Sequence, residues 1–200
     1  QDFLQWSATT KSSNVIFVGN PPFVTNQRGA RWRNMYADFV EAMLNYQSAS
    51  VSFSLILPVS VCFSRDYADL RRQIEQSGMG ISAASYDNIP DCLFKAGKPE
   101  SQNTNRANSQ RCTILHVGGR DCSVRESSPM IRWTAGNRSE VLRALPSYYD
   151  YSNYVFDKQI PRPSTDWMLK YLSENKSSPT LKSHMTRHAK CDFSVGAVAR

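Results

Sequence analysis

The chain has 200 residues, 40% of them hydrophobic and 20% charged, with only 9 Gly and 10 Pro. That length makes one ordinary domain with a real core and excludes collagen-like and low-complexity classes. Lys+Arg 24 against Asp+Glu 17 leaves +7, a balance that suits a polyanionic partner such as nucleic acid. The most apolar stretch, 51–63, is interrupted by Ser52, Ser54, Pro58 and Ser60 and is too short to span a bilayer, so no membrane partner is expected. No basic-then-apolar leader stands at the start, and a chain opening on Gln1 is expected to be a piece of a longer protein. Five widely spaced cysteines without a CxxC pair point to reduced thiols and a cytoplasmic location. His184, His188 and Cys191 lack a fourth ligand at tight spacing, so no metal site is expected.

In chain order, Asn14–Gly19 is a β-branched apolar run that predicts a strand buried on both faces. Asn20-Pro21-Pro22-Phe23 and a polar loop with Arg28, Arg31, Trp32 and Arg33 follow. Met35, Tyr36, Phe39, Val40, Met43 and Leu44 then recur at helical spacing over 34–46. A second buried strand is predicted at 51–57, a charged helix at 65–76, and a third strand at 81–86 after the Gly78-Met79-Gly80 turn. Beyond a polar loop at 97–110, residues 111–117 read as a fourth strand. The order β-α-β-α-β-β predicts parallel strands joined by helices with a final antiparallel pair. Weaker signals place a strand at 130–134, a helix at 139–145, a tyrosine-rich segment at 147–154, a linker at 161–163 and a helix opening at Ser164 or Thr165.

Asn20-Pro21-Pro22-Phe23 carries the most information, since an Asn-Pro-Pro-aromatic run arises by chance in roughly 0.2% of chains this long. Proline fixes φ and pushes the preceding residue out of the helical region, so Asn20 and Pro21 form a stiff extended corner. Neither proline has an N–H, and their carbonyls remain as outward acceptors. In open α/β sheets ligands bind beyond the carboxyl ends of strands, where this corner stands. An amide acceptor, a backbone acceptor and an aromatic face converging there suit a planar ring with an exocyclic NH2.

The segment resembles motif IV of the amino-group DNA methyltransferases, specifically the N6-adenine enzymes, whose pattern is Asn/Asp-Pro-Pro-Tyr/Phe/Trp. Downstream, Leu55-Ile56-Leu57-Pro58 with Ser60, Tyr67, Leu70 and Arg71 is similar to the family's next strand and helix. Asp87-Asn88-Ile89-Pro90, Leu93-Phe94-Lys95 and Cys112-Thr113-Ile114-Leu115 resemble its late motif, and Arg132-Trp133 with the 138–145 helix resemble the tail of methylases in large restriction–modification proteins. The resemblance covers about residues 14–145. It implies an α/β fold: half of a Rossmann-like class I methyltransferase sheet, parallel strands plus a final antiparallel strand, with helices on both faces. It also implies S-adenosylmethionine as cofactor and double-stranded DNA as partner. A flipped adenine would stack on Phe23, with Phe94 also in contact, while the Asn20 side-chain oxygen and the Pro21 carbonyl accept its N6 hydrogens. Pro22 stiffens the same corner, and Arg28, Arg31, Arg33 and Lys98 would meet phosphates.

The family's glycine-rich donor loop and ribose-binding acid are not found. Gly78-Met79-Gly80 follows a helix and precedes a strand, the reverse of the required context. The chain is therefore expected to be the catalytic-loop half, inactive alone, with a sheet edge left for a missing N-terminal donor-binding half in the same parent chain or a partner. Residues 1–146 are assigned to that half-domain, and 147–200 to a linker and the start of a target-recognition region. Two rivals stay open. One is a protein glutamine methyltransferase, which uses the same acceptor geometry. The other is a non-enzymatic nucleic-acid-binding remnant using the arginines with Tyr148, Tyr149, Tyr151 and Tyr154 as stacking platforms.

Overall fold

Period-2 patterning dominates the centre of the chain, and the computed structural model, which describes residues 3–9, 13–48, 50–92, 110–118, 124–153 and 159–174, places it in one mixed six-stranded sheet. The strands are β1 (Asn14–Gly19), β2 (Ser50–Pro58), β3 (Gly80–Tyr86), β4 (Cys112–Gly118), β5 (Arg125–Ile131) and β6 (Tyr149–Asp150), in the order β1-β2-β4-β3-β5-β6. β1 and β2 are parallel, as are β3 and β5. β4 runs antiparallel to both β2 and β3, so the antiparallel strand lies inside the sheet, between the two parallel pairs. The helices are α1 (Phe3–Thr9), α2 (Met35–Leu44), α3 (Ala68–Gln76), α4 (Arg138–Arg143) and α5 (Asp166–Glu174). Among the described residues no helix is long and apolar enough to cross a membrane.

Phe53, Leu55 and Leu57 of β2, Leu115 and Val117 of β4 and Ile81 and Ala83 of β3 share one face, which buries the main core. α2 covers it with Tyr36, Ala37, Val40 and Met43, and α3 with Leu70 and Ile74, each set recurring at helical spacing. α1 closes the β1 end through aromatic packing: Phe3 stacks on Phe39 at 5.1 Å and Trp6 on Tyr46 at 5.9 Å. The opposite face carries a smaller cluster at one end, where Ala84, Tyr86 and Trp133 meet Val141 of α4. Helices thus reach both faces, unevenly.

The rest of that second face is polar or bare. A row crosses four strands there: Ser54 Oγ lies 2.9 Å from His116 Nδ1, and Ser82 Oγ donates to Glu126 Oε1 at 2.6 Å. Ile16 and Val18 of β1 point the same way and are 75% and 79% exposed. The expectation that β1 is buried on both faces is therefore corrected. Its burial alternates, because it is the edge strand of the described sheet and nothing among the described residues covers Ile16 and Val18.

β5 begins earlier than the 130–134 strand expected from sequence, since its Arg-Glu-Ser-Ser-Pro start has no apolar signal. Pro129 is accommodated at a register shift opposite Ala83–Ser85, where Ser128 Oγ accepts the Ser85 N–H at 2.9 Å. Past residue 146, Tyr149–Asp150 pair with β5, and Tyr151, Ile160 and Leu169 pack into the main core. The core thus takes in part of the segment assigned to a linker.

β4 meets β2 tightly at Gly118. A Cβ built there would overlap Ser52 Cβ and stand 2.9 Å from Ser52 Cα, a backbone atom that cannot step aside. Gly118→Ala is expected to destabilise the chain by about 1–3 kcal/mol through overpacking, read as a lower urea midpoint at unchanged m.

Candidate active site

The carboxyl ends of β1, β2, β3 and β5 lie along one edge of the sheet, together with the start of antiparallel β4. Asn20-Pro21-Pro22-Phe23 begins there, directly after β1. Asn20 and Pro22 are exposed, Pro21 is buried, and Phe23 is half-buried. The Phe23 ring meets Tyr36 edge-on at 6.0 Å, and Tyr36 in turn leans on Tyr67 at 5.3 Å. Phe23 therefore gives part of its ring to the core and part to solvent. Tyr36 is fully buried, and desolvation pushes its phenol well above the ordinary value. Ser60, Tyr67 and Asn34 are its polar neighbours, although none stands in good hydrogen-bond geometry to the hydroxyl. It packs beneath the corner through Phe23, a placement the helical pattern alone did not distinguish from ordinary core.

The arginine loop closes on itself. Asn26 N–H donates to Arg33 O at 2.9 Å, Met35 N–H to Val24 O at 3.0 Å and Ala30 N–H to Gln27 O at 3.1 Å; Gly29 takes the φ of +93° that this turn requires. Trp32 is buried and donates its indole N–H to Glu41 at 2.9 Å. Arg31 pairs with the same carboxylate and lies over the Trp32 ring, while Arg33 pairs with Asp66 at 3.5 Å. Both arginines keep more than half their side chains exposed, so the intramolecular pairs position them without hiding them. Arg28 is exposed, with no ion pair among the described residues. Phe94 and Lys98 lie outside the described residues, as do His184, His188, Cys191 and Tyr154. Of the other tyrosines offered as stacking platforms, Tyr151 is buried and Tyr149 is half-buried with its hydroxyl donating to Ser164 O at 2.9 Å. Only Tyr148 is exposed, at 38%.

Sequence reasoning did not find an ionic hub further along the same edge. Asp87, buried just after β3, accepts Arg111 Nε on one oxygen at 2.8 Å and Arg132 Nε on the other at 3.0 Å. The Asn88 N–H also donates to it at 2.8 Å. Burial alone would raise the Asp87 pKa, but the two arginines and the backbone N–H outweigh it and hold the carboxyl below its usual range. A depressed folded-state pKa means the contribution is complete above the unfolded value of about 3.9 and is lost as pH falls through the folded one. Asp87→Asn is accordingly expected to flatten the acid limb of thermal stability between pH 6 and pH 2, leaving a smaller fall than in the parent chain.

No family model matches this chain, and no curated protein matches it. Among solved structures, a cryo-electron-microscopy structure of a DrdV–DNA complex is similar over 76% of this chain and 19% of that one, at 12% identity and TM-score 0.48. The crystal structure of the M protein of the type I restriction enzyme EcoKI is similar over 80% of this chain and 36% of that one, at 15% identity and TM-score 0.43. A modification subunit ascribed to a type I restriction enzyme from Vibrio vulnificus YJ016 is similar over 74% and 36%, at 12% identity and TM-score 0.41. The chain therefore spans between about a fifth and just over a third of the length of these proteins.

Proposed function

We propose that the chain carries the catalytic loop of an S-adenosylmethionine-dependent DNA methyltransferase of the restriction–modification type, acting on N6 of a flipped adenine. The observation that supports it is one of position: the Asn-Pro-Pro-Phe corner follows the carboxyl end of a parallel strand, with Asn20 exposed and Phe23 braced on buried Tyr36. In this reading Asn20 Oδ1 and the Pro21 carbonyl accept the two N6 hydrogens. Those hydrogen bonds draw the nitrogen lone pair out of ring conjugation and fix its direction, so catalysis is positioning and electrostatics. The solvent side of Phe23 takes the base face, with Phe94 as a second contact, and Arg28, Arg31, Arg33 and Lys98 meet phosphates.

S-adenosylmethionine supplies the methyl group when bound. The described residues do not fit it: no strand among them leads into a glycine-rich turn, and Gly78, at φ +69°, ends α3 ahead of β3. The donor belongs in this reading to a further half that pairs along the free edge of β1 and covers Ile16 and Val18. The test measures methyl incorporation into adenine-containing duplex DNA, beside a glutamine-bearing peptide, by the chain joined to a donor-binding half. Label on the DNA is expected; label on the peptide alone overturns the reading in favour of glutamine methylation.

A further inference from the structure

The geometry points to a second nucleic-acid contact that the Asn20 loop does not include: Arg111 and Arg132, pinned together by Asp87, form a clamp for a backbone phosphodiester. This rests on the DNA reading above. Each arginine spends only its Nε–H on the carboxylate, one per oxygen. The two terminal NH2 groups of each have no partner among the described residues, and the side chains are 51% and 73% exposed against 4% for Asp87. A desolvated carboxylate thus orients two guanidinium forks whose outer ends remain free, the donor arrangement that suits the oxygens of one phosphate.

Arg132, three-quarters exposed, contributes little to stability because water screens it. Arg138 lies over the Trp133 ring at 5.4 Å beside this hub, so three arginines stand against two aspartates, Asp87 and Asp91, the latter accepting the Ala135 N–H at 2.6 Å. Trp133, next to Arg132, is buried and donates its indole N–H to Asp91 O at 2.7 Å, which anchors this end of the hub.

Its distance from Asn20 fits a nucleic-acid strand. Arg111, Asp87 and Arg132 stand at the ends of the second, third and fourth strands counted from β1. At about 4.8 Å per strand they lie about 10–19 Å away along the edge. A duplex rises about 3.4 Å per nucleotide along its axis, so one lying along this edge puts at the clamp a phosphate about three to six nucleotides from the target base.

The experiment is binding of the full chain to a duplex oligonucleotide over a salt series, with thermal unfolding followed in parallel. The double variant R111Q/R132Q is expected to reduce the slope of log K against log salt by about 0.9, the loss of one phosphate contact, and R111Q and R132Q each by part of that. R132K keeps the charge and is expected to keep the slope, which separates a lost contact from a damaged fold. A slope that stays at the parent value in the double variant overturns the clamp, and so does the absence of duplex binding at low salt. Inorganic phosphate that shifts unfolding of the parent chain without duplex binding assigns the arginines to a free oxyanion and overturns it too. No methyl donor is needed, so the two proposals fail separately. Slopes that fall in a protein that never methylates DNA leave the clamp standing, and methylation with unchanged slopes removes the clamp alone.

Discussion

Asn20→Ala is expected to lower methyl transfer to duplex DNA by about 10²- to 10³-fold, the scale found when one preorganised hydrogen-bond partner of a reacting group is removed. The rate is read in the chain joined to a donor-binding half. Asn20 is exposed and contributes to no buried cluster, so thermal unfolding of the variant should match the parent. Asn20→Asp keeps an acceptor oxygen at the same place and should lose less. A single-turnover assay checks both, and an alanine variant methylating at the parent rate would take the corner out of the chemistry.

The second large effect concerns the two faces of the sheet. Leu55, 1% exposed at the middle of β2, should destabilise the chain by about 2–5 kcal/mol when cut to alanine. Ile16→Thr, on the bare side of β1, should stay within about 0.5 kcal/mol in the same urea titration. Joined to a donor-binding half, Ile16→Thr should become costly, by about 1–3 kcal/mol, because the side chain then leaves water. If Ile16→Thr cost as much as Leu55→Ala in the isolated chain, β1 would already be covered on that side.

Much of the scaffold was legible because its signals are local. The apolar stripe of α2, the apolar run of β2 and the glycine turn after α3 each lie within a dozen residues, and observed bounds fall close to those expected. What escaped was non-local. The exposure of Ile16 depends on what covers that face of β1, which a β-branched run cannot reveal. The early start of β5 depends on Ser128 replacing a backbone acceptor. β6 is two residues long, held by pairing with β5, and has no pattern of its own. At the site, the prolyl corner could be read because proline constrains the backbone wherever it stands. The Asp87 hub draws in arginines 24 and 45 positions away, and no short motif encodes such a meeting.

The position of β4 has a further consequence for how the chain acquires this shape. β2 and β3 are neighbours in sequence order but touch only through a strand made later, after the 93–109 stretch. During synthesis the parallel β1–β2 pair can therefore form early, while the slot beside it waits until residues 112–118 emerge. The β2–β4 register pairs residues 54 to 64 positions apart, which raises contact order, so filling of the slot, a long-range closure, is expected to be the slow step of folding.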